Sequence, residues 1–276
     1  ATKPEMPGLI QTVVVAVAAI FVVFYSGNAP VVLRKLTEFV HGKPGCAPAP
    51  DLGNVTIHYF DIRGRGEAIR LMLEQAEIPY TEVSFNGDTW PAQKQKGMAS
   101  GLYTFGQVPA IETASGSRLV QSIPIVRYIG RATGISCDCD EMAQCEVIAH
   151  GAEDVRAKYG KMVYNPDFTL ADREEYLTVT LPLWLGYFEK LAPTSQQGKD
   201  IFFASSRLTW VDFLVFDLLD VNVEFGKFNV GANVAPVDPL KDFPKLAKDA
   251  HLNYHTCPNS IEEHQYNPIE QCPVHR

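Results

Sequence analysis

The chain has 276 residues, 46% hydrophobic and 20% charged, which supplies a real core and excludes wholesale disorder. Thirty-two acidic against 24 basic side chains leave a net charge of −8, so no clustered basic surface for nucleic acid is expected. Six cysteines over this length are too few for a disulfide-built scaffold.

Residues 9–25 are apolar except for Gln11 and Thr12, and no charge lies between Glu5 and Arg34. As a helix this stretch is about 25 Å long, just adequate for a hydrocarbon core of about 30 Å. A single-pass transmembrane anchor over 1–30 is the expectation, with membrane lipid as its partner. A secretory signal peptide is the rival, since 13–25 has the length of its apolar region, but Ser26-Gly27-Asn28-Ala29-Pro30 lacks a clean small-residue cleavage site. Pro30 suits the first turn of another helix, where Val32, Leu36, Phe39 and Val40 share one face beside Arg34 and Lys35. That segment reads either as an amphipathic helix on lipid or a partner, or as a plain connector. A Pro- and Gly-rich linker completes 31–53. Lys and Arg are slightly more frequent after the span than before it. The positive-inside rule then puts the body in the cytosol or matrix, with the mitochondrial inner membrane as one such membrane.

Beyond the linker, 55–59 alternates and is β-branched, as a strand should. Residues 67–78 have helical spacing, stopped by Pro79, and 80–85 reads as a second strand. An irregular stretch follows, then strands at 106–112 and 117–120. A helix is expected over 122–134, with Ser122 as N-cap and Gly134 as stop. From Glu141 onward strands vanish, and helical patterns run through 141–164, 172–192 and 209–221. The fold class is therefore α/β followed by all-α, with a site expected between the two. Cys137, Cys139 and Cys145 match no zinc spacing and read as ordinary thiols near the linker, so no metal site is expected. Cys257 and Cys272 bracket a polar tail and are candidates for a disulfide in an oxidising compartment.

Five motifs in order, YFDIRGRGEAIR, WPAQK, FGQVPAI, LVQSIPIVRYIG and LTWVDFLVFDLL, resemble the cytosolic glutathione transferases, above all the sigma class with its glutathione-dependent prostaglandin D synthases. The resemblance covers about 55–265. It implies a thioredoxin-like glutathione-binding domain (54–134) and a helical domain (135–265), usually in a homodimer; the N-terminal anchor and a C-terminal tail (266–276) are additions to the family pattern. Glutathione is the implied co-substrate, and a hydrophobic electrophile the second substrate.

Tyr59 ends the first strand, where the family places a tyrosine whose hydroxyl donates to the glutathione sulfur. A free thiol titrates near ~8.5, and a donor aimed at sulfur favours the thiolate, which is the nucleophile. The resemblance makes Arg65 its assistant, with Arg63 the weaker candidate. Gly64 and Gly66 lack the third glycine of a dinucleotide loop, and Glu67 with Arg70 reads as a structural i, i+3 pair. Trp90 and Lys94 match the positions that contact the glycine end of glutathione, Lys94 as a point charge for the carboxylate. Gln107-Val108-Pro109 implies a cis peptide before Pro109, the Val108 backbone pairing with the cysteinyl unit like an added strand, and Gln107 reaching the glycyl end. Gln121 and Ser122 open a helix whose free N–H groups suit the γ-glutamyl carboxylate. Thr209 and Asp212 form a capping box, a folding element.

The family's acidic residue that reaches across the dimer is expected near Val155 and Arg156, with Asp154 just before. That departure puts the dimer contact in question. Phe60, Ile62 and Tyr159 are the candidate walls of the electrophile pocket. Two readings stand: a membrane-anchored glutathione transferase, with isomerase or peroxidase sub-activities, or an accessory structural subunit of a membrane complex, respiratory among them, built on the same fold.

Overall fold

The computed structural model describes residues 49–138, 140–192, 202–227 and 235–250. Those from Pro50 onward belong to one compact unit. The expected membrane span, the amphipathic segment and the Cys257–Cys272 pair lie outside the described residues. Among those described, no helix is long and apolar enough to cross a membrane.

Strand β1 (Val55–Phe60) is central because its side chains are buried on both faces, Val55, Ile57 and Tyr59 on one and His58 on the other. A 3₁₀ turn at Gly64–Gly66 leads into helix α1 (Glu67–Gln75), which returns the chain to β2 (Tyr80–Phe85), parallel to β1. β3 (Ala110–Thr113) runs antiparallel to β1, and β4 (Arg118–Val120) antiparallel to β3, giving the order β2-β1-β3-β4. This register gives the sheet two distinct ends. Tyr59, Phe60 and Phe85 lie at the end where β3 begins and β4 stops, and Asn54 lies at the other.

Helix α2 (Trp90–Ala99) occupies part of the stretch expected to be irregular. Its polar sequence, WPAQKQKGMA, carries no apolar periodicity because almost all of it faces solvent. Helix α3 (Ser122–Thr133) ends on Gly134 at φ 78°, the left-handed C-cap that its sequence position implied. Its start differs from expectation, since Gln121 is the N-cap residue and Ser122 the first helical one.

The helical half comprises α4 (Met142–Val163), α5 (Leu170–Glu175), α6 (Leu181–Leu191), α7 (Trp210–Lys227) and α8 (Pro244–Ala250). The single helix expected over 172–192 contains a π-helical stretch at Tyr176–Thr180. Pro182 has no N–H to give, and just ahead of it Leu181 donates back to Tyr176. Helix α7 is buried nearly all round and packs against α1, α3 and α4. It joins the two halves into one core through Trp210, Phe213 and Leu219.

Cys137 and Cys145 form a disulfide, which corrects their reading as ordinary thiols. The fold closes the segment after α3 onto the first turn of α4 and buries both side chains. No group of three or more metal-ligating side chains is found among the described residues.

The capping box at Thr209 carries more than a helix start. The Asp212 carboxylate accepts from the Thr209 N–H at 2.7 Å, the Thr209 hydroxyl at 2.8 Å and the Phe203 N–H at 2.8 Å, in a site where Asp212 is 3% exposed. Burial alone pushes its pKa up, against the pull of these donors. Removing the carboxylate strands two buried N–H groups at roughly 1–3 kcal/mol each. Asp212→Ala is therefore expected to lower the unfolding free energy by about 2 kcal/mol, read as a lower urea midpoint at unchanged slope.

Candidate active site

The turn after β1 lies directly over the Tyr59 ring. A Cβ at Gly64 or Gly66 would collide with that ring, so these glycines are required by close approach, and Gly64 also has φ +42°. The turn then delivers the Arg65 N–H to the Tyr59 hydroxyl at 2.7 Å. Since the hydroxyl accepts this bond, its own proton is left for another acceptor. Tyr59 is 6% exposed, and burial raises its pKa to about 12 despite the Arg65 N–H and the nearby Arg65 and Arg156 guanidinium groups. It therefore stays protonated, as a donor, throughout the neutral range.

Two adjoining cavities meet at Arg65. A cleft of about 460 Å³ is lined by Arg65, Trp90, Lys94, Gln107, Val108, Pro109, Gln121, Ser122 and Glu153, with Phe60 and Phe105. All seven expected binding residues are thus brought to one cleft. The Val108–Pro109 peptide is cis, and the pairing of β3 begins only at Ala110, which leaves the Val108 backbone outside the ladder. Trp90 is held by an aromatic cluster, with ring centroids 5.3 Å from both Phe60 and Phe85 and 5.7 Å from Tyr103. Beneath it, His58 meets the Tyr103 hydroxyl at 3.1 Å and Glu112 at 3.2 Å, and burial lowers its pKa. Gln121 has φ 74° and ψ 126°, a conformation that costs a non-glycine residue of order 1–3 kcal/mol. This bend turns the chain from β4 into α3 at the cleft wall.

Tyr59 lines the second cavity, of about 370 Å³, with Ile62, Arg65, Arg156, Tyr159, Val163 and Tyr164 among its walls. Ile62 and Tyr159, two of the three expected walls, line this cavity, whereas alternation along β1 sends Phe60 to the Trp90 cleft.

Below the turn lies a buried charge network. Arg63 meets Asp220 at 2.5 Å, and Asp217 and Glu67 at 3.7 Å each. Arg156 donates to Asp217 at 2.6 Å and to the Gly64 carbonyl at 3.4 Å. Arg70 pairs with Glu67 at 3.0 Å, as expected, and grips Glu82 through both carboxylate oxygens at 2.9 and 2.8 Å. Burial raises the Glu67 pKa, opposed chiefly by Arg63. Arg63 is thus a structural tie between the turn and α7.

The region searched for an acid also resolves differently. Val155 is core, Arg156 belongs to the network, and Asp154 is exposed. Glu153 lines the cleft and pairs with the Arg65 guanidinium. Sequence reading passed over Glu153 and Phe105, and met Arg156 only as a departure from the family's acid. An arginine one helical turn from an acid on α4 was the one local signal for Glu153.

Comparison with known proteins agrees with this geometry. Residues 55–131 match the model of the glutathione S-transferase N-terminal domain, and 153–258 that of the glutathione S-transferase C-terminal domain. A glutathione S-transferase of Plasmodium falciparum is 32% identical over 174 residues, covering 60% of this chain and 79% of that protein. Glutathione S-transferase Mu 2 of Rattus norvegicus is 31% identical over 172 residues, covering 60% and 75%. Among solved structures, the Pi-class glutathione S-transferase of Onchocerca volvulus superposes with a TM-score of 0.60 at 25% identity, covering 74% of this chain and 88% of that one.

Proposed function

Because the chain belongs to the glutathione S-transferase family, we propose that it binds glutathione in the Arg65–Trp90 cleft and activates its thiol for attack on an electrophile in the Tyr59 cavity. One observation carries this reading: the seven expected glutathione contacts line a single cleft, and Arg65 is the wall it shares with the cavity of Tyr59. The thiol at that junction receives the free Tyr59 proton as a hydrogen bond, which favours the thiolate. Arg65 adds positive potential, and a sigma-like assignment rests on its position at the junction. Lys94 takes the glycyl carboxylate and the α3 N-terminus at Ser122 the γ-glutamyl carboxylate. The Tyr59 cavity offers Ile62, Tyr159 and Val163 to an apolar electrophile. Residues 9–25 would tether the enzyme to a membrane.

Calorimetric titration of glutathione into the whole chain in detergent, followed by conjugation to a generic aryl halide, tests the proposal. No binding by the folded protein would overturn it. Lys94 is exposed, so its ion pair is worth up to about 1 kcal/mol. Lys94→Ala is expected to raise KM for glutathione roughly fivefold with kcat unchanged, the mark of uniform binding.

A further inference from the structure

We propose that Asn54 is an N-glycosylation site and that the domain matures in an oxidising secretory compartment. Asn54-Val55-Thr56 has the acceptor pattern Asn-x-Thr with x other than proline. Asn54 is exposed, in the bend just ahead of β1. Its carbonyl accepts from the Ala114 N–H at 2.9 Å, which holds the backbone. Among the described residues its side-chain amide has no hydrogen bond. The turn at 114–116 beside it is exposed as well.

The second, independent observation is the disulfide between Cys137 and Cys145, buried at 4% and 0% exposure. Such bonds persist in secreted and lumenal proteins and are rare where glutathione keeps thiols reduced. The same oxidising lumen is where oligosaccharide is attached to asparagine. A domain there lies on the side of the membrane opposite to that expected from the lysine and arginine count, whose bias was small.

Position in the fold makes the modification compatible with the cleft. Phe60, Pro109 and Gln121 bound the cleft at one end of the sheet, and Asn54 lies at the other. Tyr59 lies five residue steps further along the strand, roughly 16 Å at about 3.3 Å per residue. In the folded sheet the Thr56 hydroxyl is 3.4 Å from that of Thr81, so transfer precedes closure of β1 on β2. In the transfer, Asn54 Nδ2 bonds to the anomeric carbon of a polyprenyl-diphosphate-linked oligosaccharide. The bond from that carbon to the diphosphate breaks, the diphosphate leaves with the electron pair, and Nδ2 releases one proton.

The whole chain, Asn54→Gln and Thr56→Val are produced in animal cells and run before and after peptide N-glycosidase. The expected result is a mobility shift in the whole chain that the glycosidase removes and both variants lack. The deglycosylated peptide should read aspartate at position 54. Non-reducing peptide mapping should find Cys137 joined to Cys145. An unshifted whole chain overturns the proposal even if the bridge is present, and so does a glycan that persists in Asn54→Gln. Free thiols at both Cys137 and Cys145 overturn the compartment.

Discussion

Tyr59→Phe is expected to lower glutathione conjugation about ten- to a hundredfold while leaving the fold intact. A hydrogen bond to a charged acceptor is worth about 1.5–3 kcal/mol, and each 1.4 kcal/mol is a factor of ten. The phenyl ring keeps the packing beneath Gly64 and Gly66, and only the bond accepted from the Arg65 N–H is lost inside the protein. The pH dependence gives a second readout. Because burial holds Tyr59 protonated up to about pH 12, the group titrating in the neutral range is the bound thiol. Rates rise with pH through the thiol pKa, which Tyr59 depresses in the parent protein. In Tyr59→Phe the inflection moves upward, toward the free value near ~8.5. Initial rates from pH 6 to 9 check both effects. Equal rates and equal inflections would remove Tyr59 from the chemistry.

Asp217→Ala is expected to destabilise the protein by about 3–5 kcal/mol, the cost of leaving a buried charge without its partner. Asp217 is 1% exposed and stands between two arginines, Arg156 at 2.6 Å and Arg63 at 3.7 Å. Arg63 retains Asp220 and Glu67, whereas Arg156, its side chain 12% exposed, loses its one close carboxylate among the described residues. The loss reaches the active site, because Arg156 also donates to the Gly64 carbonyl in the turn above Tyr59. Urea unfolding measures the first effect. Activity falling at denaturant concentrations where the parent is still fully folded would reveal the second.

Much of the site was legible because its pieces are local. The turn sequence Arg63-Gly64-Arg65-Gly66, the Val108–Pro109 peptide and the Gln121-Ser122 helix start each depend on backbone geometry set within a few residues. Helix α2 escaped notice because a solvent-facing helix leaves no apolar period to read. Glu153 escaped because the acid was sought at the register of Val155 and Arg156, and only folding shows which face of α4 meets the cleft.

By itself, then, the sequence determined most of the order of elements and the thioredoxin-like and helical halves, and it named residues that come to line one cleft. Alternation, capping and proline or glycine geometry are short-range properties, so they are written where they act. Tertiary structure alone decided which cavity each side chain enters, that Cys137 and Cys145 are joined, and that Asp217, 61 residues from Arg156, neutralises it. Those outcomes depend on distances between elements far apart in the chain. Such distances exist only once the apolar core around α7 has brought the two halves together.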